Sequence, residues 1–129
     1  MAACGMNDPR NHGDLTSLDD LRDALRRFAA ERDWEQFHAP KNLAMALGVE
    51  VAELMEHFQW ISEEHSRKLP AEQLAKVREE LADVLIYLAR LADKLDVDLL
   101  AAASDKMALN AAKYPADKAR GHSRKYTNL

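Results

Sequence analysis

Between Leu74 and Leu95 the apolar residues Leu74, Val77, Leu81, Val84, Leu85, Leu88, Leu91 and Leu95 return every three or four positions. That is the period of one helix side, and it is too long and regular for a strand. The same spacing appears in Leu18, Leu21, Leu25 and Phe28, and in Leu43, Ala46, Leu47, Leu54 and Phe58. Strand-like alternation, repeats and low-complexity tracts are absent. The chain is expected to be all-α, with an antiparallel helical core.

Boundary residues divide it into four helical segments. Thr16 and Ser17, with Asp19 and Asp20 following, cap a first helix to about Asp33. Trp34 to Pro40 loses the period and reads as a loop. Pro40 suits a helix's first position, opening a second helix to about Glu64. Pro70 opens the third, which carries the long apolar side. Asp96 to Asp98 offer caps for a fourth, which ends at Tyr114-Pro115 because proline disfavours helical geometry before it. Residues 1–15 read as a flexible leader, 16–114 as the helical domain and 115–129 as a basic tail.

Composition narrows the function classes. The chain has 129 residues, 47% of them hydrophobic, enough for one domain with a core. A net charge of −4 argues against a surface-wide electrostatic binder of nucleic acid. No apolar run reaches the ~18 residues that suggest a membrane span, and "MAACGMNDPRNHGD" lacks the basic and apolar regions of a secretion signal. Cys4 is the only cysteine, which leaves no internal disulfide and no thiolate metal site and fits a reducing cytoplasm.

Against this background Glu50 stands out, because it shares the second helix's apolar stripe. An uncompensated buried charge costs several kcal/mol. Glu50 and Glu53 are three apart and project from nearly one face; Glu80 and Asp83 repeat that pair on the third helix. Spacing leaves two readings open: solvated faces, or four carboxylates gathered between packed helices. The second reading demands cations. An oxygen-only set suits a hard ion such as Mg²⁺, which completes its shell with water and substrate phosphates. Zinc is disfavoured, since neither Cys nor HExxH accompanies the acids.

Trp34, Trp60 and Tyr87 lie near the acid pairs or the loop feeding them. They read either as core filler or as stacking surfaces for a nucleobase, worth ~1–3 kcal/mol per base. His38 is a possible donor to a phosphate or base edge. From Lys106 to Lys125, the basic residues Lys106, Lys113, Lys118, Arg120, Arg124 and Lys125 outnumber Asp117, and the stretch is either a solvated basic end or a source of cations for an acidic site or for phosphates.

"WEQFHAPKNLAMALGVEVAELMEHFQW" followed by "EELADVLIYLARLADKLDVDL" resembles the MazG-like all-α nucleoside triphosphate pyrophosphohydrolases, and within them the dCTP pyrophosphatase branch. The "KM…N…KYP" and "RG…KYT" elements extend the similarity from about Leu18 to Tyr126. The resemblance implies a four-helix bundle assembled as a homodimer or homotetramer. It implies Mg²⁺-dependent hydrolysis of a nucleoside triphosphate, dCTP or a 5-modified dCTP, to the monophosphate and pyrophosphate, a sanitation of the nucleotide pool. The family's metal and catalytic positions fall on Glu50, Glu53, Glu80 and Asp83. Its nucleotide-binding positions fall on Trp34, Glu35, Gln36, Phe37 and His38, with Trp60 and Tyr87 completing the base pocket. Lys106, Asn110, Arg120, Lys125 and Tyr126 match the C-terminal elements expected near the phosphates, in the same subunit or a neighbour. One departure stands in the first helix: the branch carries a histidine where this chain has Leu25, which points to relaxed base selection and a pyrophosphatase of broader specificity.

Two rivals come from other classes. A di-iron carboxylate bundle requires Glu-x-x-His on two helices, and the only match is Glu35 to His38, in the expected loop. A non-catalytic helical interaction module would carry its acids as solvated faces.

Overall fold

The structure, a computed structural model, describes residues 15–125 and Thr127. The expected leader through residue 14 and Tyr126 lie outside the described residues. Among the described residues all regular structure is helical: α1 (Leu18–Glu31), a 3₁₀ turn (Glu35–Phe37), α2 (Pro40–Glu56), α3 (Glu63–Ser66), α4 (Ala71–Lys94), α5 (Leu99–Lys113) and α6 (Ala116–Ala119). No helix among them is long and apolar enough to cross a membrane.

Local chemistry explains the boundaries. Ser17 caps α1 by accepting from the Asp20 amide at 3.0 Å, while the Asp20 carboxylate accepts from the Thr16 amide at 3.0 Å and hydroxyl at 2.8 Å. These bonds satisfy amides that a helix start leaves orphaned. Asp98 caps α5 through the Ala101 amide at 3.0 Å. Two helix ends turn left-handed: Asp33 after α1 has φ of 54° and Asp96 after α4 has φ of 55°.

The expected second helix to Glu64 is shorter than its periodicity suggested. It ends at Glu56, and the chain turns through Phe58 to Ile61 before Ser62 caps the one-turn α3 by accepting from the His65 amide at 3.0 Å. A serine hydroxyl followed by Glu63 and Glu64 is a helix-start signal, and here it outweighs the apolar spacing of Phe58 and Ile61.

The chain forms two compact units that divide between Asp96 and Val97. In the first, α4 is the central element, with α1 and α2 packed on it. The α2–α4 pair is antiparallel, since the start of α4 meets the end of α2: Gln73 Nε2 donates to the His57 carbonyl at 3.2 Å. Leu43, only 2% exposed, and the small residues Ala29, Ala89 and Ala92 form the core with Val77. The second unit contains α5 and α6.

The apolar side of α4 is not all interior. Val77 is buried and Val84 and Leu91 are half-buried, whereas Leu74, Leu81, Leu85, Leu88 and Leu95 are each more than a third exposed. At 100° per residue those five leucines make one stripe. Glu80, Asp83, Tyr87, Arg90 and Lys94 form another nearly opposite it.

Candidate functional site

Glu50 and Glu53 rise from the middle of α2, and Glu80 and Asp83 from the middle of α4. Antiparallel packing brings the two pairs together. Glu50, Glu80 and Asp83, all half-buried, each offer a carboxylate oxygen within 4.8 Å of the others. Glu53 lies beside Glu50. Burial, then the adjacent Glu53 carboxylate, then Asp83 and Glu80 push the Glu50 carboxyl up from 4.5 to about 7. Glu50 Oε2 and Glu80 Oε2 are buried with no hydrogen-bond partner among the described residues. Such orphaned acceptors are rare and costly.

These residues fit a hard divalent cation: the donors are all oxygen, two point into a buried space without partners, and their mutual repulsion calls for positive charge. His57, at the end of α2, adds a nitrogen at the margin, with Nε2 3.8 Å from Glu80 Oε1.

A second cluster sits farther along α4. Arg90, 4% exposed, donates from Nε to His38 Nδ1 at 3.0 Å and from Nη1 to Asp93 Oδ2 at 3.3 Å, and it pairs with Glu35 through Nη2. Lys94 pairs with the other Glu35 oxygen. Arg26 on α1 closes a bidentate pair on Asp93, at 2.8 and 2.5 Å. These bonds anchor the Trp34–His38 segment to α4. Charge-assisted bonds of this kind are among the stronger ones. Asp93 is held below its ordinary value by Arg26 above all, and Glu35 by Lys94 and then Arg90.

The remaining candidate residues fall into separate groups. Gln36 Nε2 donates to the Asp33 carbonyl and carboxylate at 3.0 and 3.1 Å. Trp34 meets Phe28 edge-on at 5.6 Å and His38 at 6.3 Å. Phe37 is 60% exposed, though its carbonyl accepts from Asn42 at 3.1 Å. Tyr87 is half-buried on α4, one turn beyond Asp83. Trp60, in the turn after α2, is 85% exposed and meets no other ring among the described residues. Lys106 and Asn110 are exposed one turn apart on α5, and Arg120 and Lys125 are exposed beyond α6. Leu25 is half-buried on α1. Glu35 and His38, the Glu-x-x-His match of the di-iron reading, are both engaged by Arg90 in the 3₁₀ segment.

Sequence reasoning missed Arg90 and His57. Arg90 follows Asp83 by two helical turns, so the signal that could have found it is its place on the helix face that carries Glu80 and Asp83.

The fold and site define a class: all-α proteins with an oxygen-only carboxylate cluster between two antiparallel helices. The MazG-like family matches residues 45–129. The dCTP pyrophosphatase 1 of Homo sapiens is 50% identical over 115 residues, 88% of this chain and 68% of that protein. Its counterpart in Bos taurus is 47% identical over the same shares. Among solved structures, a pyrophosphatase from Archaeoglobus fulgidus superposes with a TM-score of 0.72 at 42% identity, covering 76% of this chain and 92% of that one. The chain belongs to the MazG-like family.

Proposed function

We propose that this chain is a nucleoside triphosphate pyrophosphohydrolase that releases the monophosphate and pyrophosphate, with dCTP or a 5-substituted dCTP as preferred substrate. The observation that carries the reading is the trio of Glu50, Glu80 and Asp83 oxygens within 4.8 Å, two of these acids with buried orphan oxygens, in a MazG-like chain. The resemblance to proteins named dCTP pyrophosphatase 1 supports the substrate class.

Glu50, Glu53, Glu80 and Asp83 would hold Mg²⁺, which when bound supplies Lewis-acid stabilisation of charge on the phosphoanhydride. The chain's own residues do the rest. The four carboxylates fix where the triphosphate can approach, since anionic phosphates meet them only where their charge is neutralised. Trp34, Trp60 and Tyr87 offer ring faces for the base, and the Trp34–His38 segment orients the nucleoside from its anchor on α4. Lys106, Asn110, Arg120, Lys125 and Tyr126 serve the phosphates, with the basic groups offsetting the pyrophosphate's charge as it leaves. The exposed leucines of α4 are consistent with assembly as a homodimer or homotetramer. The reaction suits a cytoplasmic nucleotide pool.

A panel of nucleoside triphosphates with separate detection of pyrophosphate and phosphate tests the reading. The expected result is pyrophosphate release, greatest with dCTP or a 5-substituted dCTP; phosphate release refutes the cleavage position. Glu53→Gln and Asp83→Asn, assayed with excess Mg²⁺, are expected to lose turnover, and near-normal rates in both refute the site. Leu25, in place of the branch's histidine, favours a second reading, a broader pyrophosphatase. Comparable kcat/KM values for several bases would select it.

A further inference from the structure

We propose that Arg90 is a positioning residue for nucleotide binding: it holds His38 in the tautomer whose proton is on Nε2, leaving the imidazole a single N–H donor for an acceptor on the base or sugar. The inference rests on the reading of Trp34–His38 as the nucleotide-binding segment.

The geometry permits one proton arrangement. A guanidinium nitrogen only donates. The 3.0 Å bond from Arg90 Nε therefore requires a bare lone pair on His38 Nδ1. The proton of the neutral ring must then sit on Nε2. Among the described residues no protein group accepts from that nitrogen, so the donor is left for something the chain itself does not provide. Arg90 has little freedom to yield, because it is 4% exposed and its other nitrogens hold Glu35 and Asp93. Asp93 is fixed in turn by Arg26, and Glu35 by Lys94. Burial of the ring and the nearby Arg90 charge both oppose protonation of His38 and lower its pKa, with Glu35 opposing them.

Position adds to the case. Arg90 lies two turns along α4 from Asp83, about 10 Å at 1.5 Å per residue. That is roughly the span from a nucleotide's phosphates to its base. Arg90 thus stands about a nucleoside's length along α4 from Asp83, and a fixed donor beside it discriminates among acceptors as a freely rotating one would not.

The wild-type chain itself allows a test. Long-range ¹H–¹⁵N spectra of histidine-labelled full-length protein, with His38 assigned by its loss in His38→Gln, are expected to show Nε2 protonated and Nδ1 bare. The opposite tautomer overturns the proposal. Kinetics with dCTP then test the role. His38→Phe should raise KM about three- to tenfold, the loss of one hydrogen bond. Arg90→Met, in which Asp93 and Glu35 keep Arg26 and Lys94 as partners, should raise KM over the same range and bring Nδ1-protonated ring into the His38 spectrum. A wild-type KM in either variant, or an unchanged His38 spectrum in Arg90→Met, overturns the role. Absence of turnover by wild-type protein overturns the proposed function and this role with it. Turnover accompanied by the wrong tautomer overturns the role alone.

Discussion

Glu50 illustrates how one residue's cost becomes its use. Between 4.5 and about 7 the folded chain keeps a proton on Glu50 that the unfolded chain has released. Stability of the metal-free protein should therefore fall as pH rises across that window and level off above it. Urea unfolding in chelator at pH 5 and pH 8 measures this, and Glu50→Gln should remove most of the slope. The same variant should unfold at a higher temperature than wild type at pH 8 without metal, yet lose about 10²-fold or more in turnover. Asp93 has the opposite sign: its lowered carboxyl contributes stability above 3.8 that is lost as pH falls through its folded value. Glu50 was legible in the sequence because a carboxylate on an apolar stripe is anomalous. Arg90 drew no notice, since a long arginine side chain usually lies along apolar surface with its head in water; here the head itself is buried.

At the scale of elements, α4 carries most of the organisation. Its contact with α1 and α2 accompanies buried alanines at positions 29, 89 and 92, which leave room for close helix approach. Ala29→Leu should overpack that space and cost about 1–3 kcal/mol in chemical denaturation. Leu43→Ala should cost about 2–5 kcal/mol by leaving a cavity. At the other end of α4, Asp96 holds a left-handed φ of 55°, which glycine adopts freely. Asp96→Gly should raise the melting temperature, worth about 0.5–1 kcal/mol. The starts of these helices were readable from their caps: Ser17 and Asp98 act as the sequence suggested. The end of α2 was not, because apolar spacing runs on through Phe58 and Ile61 while the competing signal is a single hydroxyl at Ser62.

For the whole molecule, periodicity identified which α4 residues form an apolar side but not what covers them. Val77, Val84 and Leu91 turn inward, and the stripe from Leu74 to Leu95 remains uncovered in one chain. That division depends on how the helices cross, which no local pattern encodes. If a second copy covers that stripe, Leu81→Arg combined with Leu85→Arg should lower the mass measured by light scattering while preserving helical circular dichroism.

The acid stripe and the leucine stripe share one helix of 24 residues, α4. If a second copy covers the leucines and assembly steadies α4, cation binding and assembly both favour the same ordered helix. Thermodynamic linkage then makes the two events reciprocal: dilution should weaken cation affinity, and cation should tighten assembly by the same factor. Titrations of Mg²⁺ at a series of protein concentrations would show this as a midpoint that drifts with concentration, and the drift should vanish in the double leucine variant.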